Sequence, residues 1–269
     1  MRKIVTYYLS ASMRMKRFLW RIMHRIIIRR YKGSELVFLN YGYAELDSNN
    51  EPLQLNEIDE KERYCLQLYH TTVADVKLGD KDILEVGCGR GGGASYITRY
   101  MNPKSYIGLD MSKEVVKFNN KYHKMPNLSF VTGNAQELPF ENESFDAIVN
   151  VESSRSYNDM DAFISEAHRV LRPNGHLLFA DIRTEEENEV LRERFEEHGL
   201  KVVKEVNIIH NVVKALDIDS DRRCDLIKKK APKIIHGLAE EFSSTKGSKR
   251  YERFSDGTLI YYRYVLQKE

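Results

Sequence analysis

Cysteine is scarce in this chain. Cys65, Cys88 and Cys224 are the only three among 269 residues, odd in number and far apart, with no C-x-x-C pair. They fit neither a disulfide framework nor a zinc site, so a reducing, cytoplasmic compartment is the simplest reading. Cys88 lies in a glycine-rich stretch, where the need for a small side chain explains it. The eight histidines show no metal-ligand spacing, and no metal is predicted. There is no internal repeat and no low-complexity tract. What remains, 42% hydrophobic and 30% charged, is the composition of an ordinary globular chain, long enough to bury a core without staples.

Acidic residues are absent from residues 1–32, which hold ten Lys/Arg. The other 237 residues therefore carry 32 basic against 40 acidic side chains, a net of −8. An acidic body speaks against nucleic acid as a partner. Within the arm, Phe18, Leu19, Ile22, Met23, Ile26 and Ile27 recur at helical spacing, and Arg14, Arg17, Arg21 and Arg25 form a stripe on another face. Its longest apolar run, Ile26-Ile27-Ile28, is far too short to span a bilayer. Three readings fit this basic amphipathic helix: peripheral contact with a membrane surface, a mitochondrial presequence, or packing of its apolar face on the body. The arm takes residues 1–34, and a single domain takes 35–269.

From Leu53 to Val76 the pattern is helical, with Ile58, Tyr64, Cys65, Leu68 and Val73 as candidate buried positions. Short apolar runs then alternate with helices: DILEVG (82–87), SYIGLD (105–110), LSFVTGNA (128–135), FDAIVNVE (145–152) and GHLLFADI (175–182), the last reached through a helix from Met160 to Leu171 and the turn RPNG. Such alternation predicts parallel strands with helices on both faces, and near-continuous Ile/Val/Leu/Phe agrees. Residues 200–209 and 258–268 predict two more strands. The fold class is thus α/β: a Rossmann-like, seven-stranded, mostly parallel sheet whose last strand runs antiparallel, with an N-terminal helical arm. The charged stretch at about 210–257 is too long for a hairpin loop and predicts a helical lid insertion.

ILEVGCGRGGGASYI (83–97) packs five glycines between two apolar runs. Gly87, Gly89, Gly91, Gly92 and Gly93 follow the first strand and open a helix, where backbone can hug a ligand at the carboxyl end of an open sheet. Asp110, twenty-three residues beyond Gly87, ends the second strand, where a carboxylate can accept both hydroxyls of a ribose. A nucleoside ligand follows, and two classes remain open. A dinucleotide wants G-x-G-x-x-G and a pyrophosphate on the helix N-terminus. Here the frame is G-x-G-x-G-G-G behind the acidic Glu85, which suits a cofactor with a cationic amino group, such as S-adenosylmethionine.

ILEVGCGRGGG, YIGLDMS, GNAQELPFENESFDAIVNVESS and RVLRPNGHLLFADI together resemble the class I S-adenosylmethionine-dependent methyltransferases. VFLNYGYAE, LYHTTV, FADIR and VVKALDIDSDRRCDLIKKKAP further resemble the mycobacterial phthiotriolone and phenolphthiotriolone dimycocerosate methyltransferases, which methylate oxygen on long polyketide lipids. The resemblance runs from about Leu36 to the end. It implies S-adenosylmethionine as cofactor and a small-molecule or lipid-like acceptor. It places Glu85, Gly87, Gly89 and Gly91 along the methionine and ribose end, Asp110 on the ribose hydroxyls and Met111 over the adenine. Ala135, with Asn134 or Gln136, meets the adenine edge, and Asn150 lies beneath the methionine moiety. Tyr43, with Tyr41 as the alternative, closes over the cofactor.

An alcohol acceptor must lose a proton, so a general base is expected. Related enzymes often carry a histidine just after the fourth strand, whereas ESSRSY sets Arg155 there, and arginine stays protonated. Arg155 is left to bind an acidic substrate or to fix Glu152. The remaining catalytic candidates are Glu152, with a pKa raised by burial, His70 on the helix before the first strand, and Tyr157, which can orient a hydroxyl. A sterol-type C-methyltransferase, a nicotinamide-dependent oxidoreductase and a non-catalytic cofactor-binding protein are the alternative functions. Deleting residues 1–32 separates the readings of the arm. Under the membrane reading the truncated protein loses its association with liposomes, and unchanged association rules that reading out.

Overall fold

A computed structural model of the chain describes residues 37–269, and the basic arm expected at 1–34 lies outside them. The strands are β1 (Asp82–Val86), β2 (Ser105–Asp110), β3 (Leu128–Thr132), β4 (Phe145–Val151), β5 (Leu171–Arg183), β6 (Leu200–Asn207) and β7 (Ile260–Lys268). They form one sheet in the order β3-β2-β1-β4-β5-β7-β6. The first five are parallel to one another, and β7 runs antiparallel to both β5 and β6. This is the expected α/β sheet.

Helices cover both faces. On one side lie α1 (Arg63–Val73) and α2 (Gly92–Met101), with Leu66, Leu68, Val73 and Ile97 in the core. On the other lie α4 (Met160–Val170) and α5 (Glu185–Glu197), with Phe163, Ile164, Leu191 and Phe195 fully or almost fully buried; α3 (Lys113–Tyr122) precedes them in the chain. Burial from both sides is why β1 and β4 read as continuous apolar runs without alternation. Local chemistry starts several helices. The side chains of Ser112 and Asp159 accept from the amides of Val115 and Ala162, and Thr184 and Glu187 form a reciprocal capping box.

The chain builds β1, β2 and β3 outward in one direction and then returns to lay β4 against the other side of β1. Strand order reverses there, and a crevice opens at the carboxyl ends of β1 and β4. The expected lid consists of three helices, α6 (Ile209–Lys230), α7 (His236–Ser243) and α8 (Lys249–Ser255). Val212, Ala215 and Leu216 on α6 are fully buried, so the lid's inner side belongs to the core. Among the described residues no helix is long and apolar enough to cross a membrane.

Three local expectations differ from the structure. Residues Glu57–Glu62 form a 3₁₀ turn before α1, which leaves Ile58 74% exposed while Cys65, Leu68 and Val73 are buried and Tyr64 half-buried. β3 stops at Thr132, because Asn134 turns back to bridge Glu137. β5 begins at Leu171 and carries RPNG within it as a bulge. Phe145 pairs with Leu171 and Ala147 with His176, so three residues loop out around Asn174 in its left-handed conformation.

Candidate active site

The glycine loop does two different jobs. Gly91, Gly92 and Gly93 admit the protein itself: an added Cβ would lie 2.9 Å from His123 and Phe130, 2.6 Å from Phe38 and 2.0 Å from Tyr69, respectively. Gly87, at φ +78°, lets Ser153 of the loop after β4 approach, and its Cβ would meet Ser153 Cβ at 2.4 Å. Gly89 alone, at φ +50°, faces open space, with nothing within 4 Å of a built Cβ. Of the five, Gly89 is therefore the one whose backbone the protein leaves uncovered.

Asp110 borders this uncovered backbone. Its Oδ2 accepts from the Gly89 amide at 3.1 Å and its Oδ1 from the Ser112 amide at 2.9 Å. A carboxylate has about four acceptor positions, so both oxygens keep capacity for hydroxyls. Burial raises Asp110 to about 6 against the two amide bonds. Glu85 differs from expectation. It is 1% exposed, its Oε1 accepts from Tyr69 Oη at 2.9 Å and its Oε2 from Tyr106 Oη at 3.0 Å. With the Ala94 amide also bound to it, Glu85 braces the first turn of α2 from beneath and does not face the crevice; burial raises it to about 7.

At the end of β4 a polar cluster closes on the β1 turn. Asn150, fully buried, donates from Nδ2 to Val86 O at 3.0 Å, Ser153 Oγ at 2.9 Å and Tyr157 Oη at 2.9 Å. Its Oδ1 is buried without a hydrogen-bond partner among the described residues. An orphaned buried acceptor costs free energy unless a ligand supplies a donor. Tyr157 packs its ring on Phe163, and burial pushes its phenol far above the usual range. Glu152 follows in the left-handed conformation at φ +51°, a backbone state that non-glycine residues reach only under constraint. Its Oε1 accepts from the Tyr41 amide at 2.9 Å and Tyr261 Oη at 3.0 Å, and Oε2 has no hydrogen bond among the described residues. Burial, aided by the nearby Asp181 carboxylate, raises Glu152 to about 8.

The other candidates sort by contact. Met111 is 61% exposed beside Asp110, a large apolar side chain outside the core clusters, and Ala135 is buried just past the carboxyl end of the neighbouring strand β3. Asn134 Oδ1 accepts from the Gln136 amide, while Gln136 Oε1 accepts from the amides of Asn158 and Asp159, tying this turn to the start of α4. Tyr43 is not brought to the crevice. Its amide bonds Tyr64 O at 2.9 Å and its phenol hydrogen-bonds Thr71 and Asn211. Tyr41 is the tyrosine of that segment at Glu152. His70 pairs its Nδ1 with Tyr96 Oη at 2.8 Å across the α1–α2 contact, apart from Glu152 and Tyr157, and burial lowers its pKa. Arg155 donates to Ile182 O at 2.8 Å and pairs with Glu187, so it holds β5 and α5 and not Glu152. Cys88 is buried with its thiol pushed well up, as a packing residue is.

Sequence reasoning missed Tyr69, Tyr106 and Tyr261. Nothing local marks them, since each meets its carboxylate only through sheet register and helix packing.

A family model described as a methyltransferase domain matches residues 84–179. The phthiotriol/phenolphthiotriol dimycocerosates methyltransferase of Mycobacterium leprae is 35% identical over 260 residues, covering 97% of this chain and 96% of its own. A fatty-acid O-methyltransferase of Mycolicibacterium smegmatis is 36% identical over 248 residues, covering 92% and 89%. Among solved structures, a putative sarcosine dimethylglycine methyltransferase from Galdieria sulphuraria shares the fold with a TM-score of 0.70 at 19% identity, covering 91% of this chain and 98% of that one.

The division among the glycines is testable. Gly93→Ala overpacks Tyr69 and is expected to lower the unfolding free energy by about 1–3 kcal/mol. Gly79→Ala, whose Cβ would approach nothing closer than Met101 O at 3.6 Å, is expected to leave it within about 1 kcal/mol of the parent. Urea unfolding of the two variants checks both.

Proposed function

The chain belongs to the family of the phthiotriol/phenolphthiotriol dimycocerosates methyltransferases, which are S-adenosylmethionine-dependent enzymes, and on that premise we propose that it methylates a hydroxyl oxygen of a lipid-like acceptor with Glu152 as general base. S-adenosylmethionine, when bound, supplies a methyl group on a positively charged sulfur. Gly89 offers it bare backbone, and Asp110 accepts from the ribose hydroxyls. Asn150 Oδ1 accepts from the amino group, which satisfies its orphaned lone pairs. Met111 and the 134–136 turn flank the adenine. Peripheral contact with the lipid phase that holds such an acceptor is part of the proposal, and residues 1–32 are the segment assigned to it.

The observation that carries the reading is Glu152: a carboxylate at the crevice end of β4, held by two donors on Oε1 and open on Oε2. Glu152 Oε2 receives the hydroxyl proton as the acceptor oxygen bonds the methyl carbon and the carbon–sulfur bond breaks. Much of the remaining rate comes from alignment, which the fixed strand ends supply.

A second reading rests on the same carboxyl. With its pKa raised to about 8, Glu152 is mostly protonated at neutral pH and can donate to an acceptor carboxylate, which needs no base. The fatty-acid O-methyltransferase relative fits that acceptor.

Two measurements test these statements. Calorimetric titration with S-adenosylmethionine is expected to show binding that Asp110→Ala weakens at least about tenfold, or 1.4 kcal/mol; equal binding by the variant removes Asp110 from the site. Methyl transfer to a long-chain alcohol and to a fatty acid is then followed from pH 6 to 9. For the alcohol, the rate rises through about pH 8 as Glu152 ionises, and Glu152→Gln loses about 10²–10⁴-fold. For the carboxylate, the rate falls through the same pH as like charges meet, and Glu152→Gln keeps activity and abolishes the fall. A pH-flat rate on both acceptors, untouched by Glu152→Gln, overturns the assignment of Glu152.

A further inference from the structure

Tyr41 is 7% exposed and uses each of its three polar groups on a different element. Its amide donates to Glu152 Oε1 at 2.9 Å. Its carbonyl accepts from Arg223 Nη2 of α6 at 3.0 Å, alongside the carbonyl of Asn40 at 3.2 Å. Its hydroxyl accepts from Arg250 Nη1 of α8 at 2.8 Å, and its ring meets Phe254 edge-on at 5.2 Å. The two arginines are themselves held. Asp219 accepts from Arg223 at 2.9 Å, and the buried Glu241 carboxylate accepts the amides of Lys249 and Arg250, which fixes the first turn of α8. The amide aimed at Glu152 is thus oriented from the lid, 209 residues away in sequence.

We infer that Arg250 of the lid is a positioning residue for Glu152 and acts on it through Tyr41. This rests on the reading of Glu152 as the proton acceptor. The physical route is short. A donated amide hydrogen bond favours the carboxylate form, and the direction of the Tyr41 amide is held both through its own peptide carbonyl, that of Asn40, by Arg223 and through its ring and hydroxyl by Arg250. The other groups facing Glu152 are Tyr69 of α1, Asp181 of β5, Arg223 of α6 and Tyr261 of β7, none of which is the group removed in an Arg250 variant. Of these, Tyr261 and Arg223 favour the charged form and Asp181 opposes it. Loss of the Tyr41 amide therefore moves Glu152 in one direction, toward the protonated form.

The test compares Arg250→Met, Arg250→Lys and Tyr41→Phe in the full-length protein. Carbon-13 NMR of glutamate-labelled protein reads the Glu152 carboxyl directly, with Glu152→Gln assigning its signal. Arg250→Met is expected to raise the Glu152 pKa by about one unit, a tenfold change in proton affinity. Turnover at neutral pH falls with it, its pH profile moves to the alkaline side, and KM for S-adenosylmethionine is unchanged. Tyr41→Phe shifts the same way, Arg250→Lys recovers part of the shift, and the double variant Tyr41→Phe/Arg250→Met is no worse than either single change. A folded Arg250→Met protein whose Glu152 titration and pH profile match the parent overturns the inference, even when its stability or KM has changed. If Glu152→Gln leaves turnover intact, the base reading fails instead, while the NMR shift still decides whether Arg250 orients the carboxyl.

Discussion

Three carboxylates stand at the carboxyl edge of the sheet, Glu85 on β1, Asp110 on β2 and Glu152 just past β4, and among the described residues none is offset by a salt bridge. Their hydrogen-bond partners are phenols and backbone amides. Burial consequently raises all three, to about 7, 6 and 8. Asp110 and Glu152 border the crevice while Glu85 lies beneath it, and such a site favours positive charge entering it, because a cation recovers part of the lost solvation of the carboxylates it meets. That preference is what separates it from a dinucleotide site, which must welcome a pyrophosphate. In the proposed function the sulfonium and ammonium of S-adenosylmethionine are the complementary charges, and the uncapped Oδ1 of Asn150 is the acceptor offered to the ammonium.

The strands that position these groups were readable because parallel strands buried on both faces leave continuous apolar runs, and the glycine loop because bare backbone is rare outside special turns. Asp110 was readable from its distance to that loop. The roles of the individual glycines were not. One composition signal covered both Gly89, which opens on space, and Gly93, which opens on Tyr69. Glu85 was read as facing the ligand because its charge was visible and its burial was not. The two phenols that hold it come from α1 and β2, and only folded geometry brings them there. The same holds for Tyr43 and Tyr41, neighbours in one motif that point to different places. His70 was a reasonable base by residue type, yet its pairing with Tyr96 lies in the α1–α2 contact. The missing histidine after β4 was the sequence signal that drew attention to Glu152.

The left-handed backbone at Glu152 ties these points together. A strand that simply continued past Val151 would carry the carboxylate away from the crevice, and the turn at φ +51° directs the chain into Ser153 beneath Gly87. Such a conformation persists only when its surroundings over-determine it. Here the Glu152 amide bonds Ala180 O, its side chain bonds Tyr41 and Tyr261, and Ser153 Oγ bonds Val86 O. Glu152 is thus fixed from four elements at once.

The lid enters and leaves the sheet at one point. Ile208, just before α6, donates its amide to the carbonyl of Tyr261 in β7 at 2.7 Å, so the two ends of an insertion of three helices are pinned side by side. An insertion with tethered ends can vary in length where it does not pack on the body. Its length can change with little effect on the register of β6 against β7, since doubling a closed loop costs only about 0.6 kcal/mol in chain entropy. Such variation is confined to the outer surface of the segment, since Val212 and Leu216 of α6 lie in the core and Arg223 and Arg250 bond Tyr41, so the inner side of the lid is tied to the sheet end that carries Glu152.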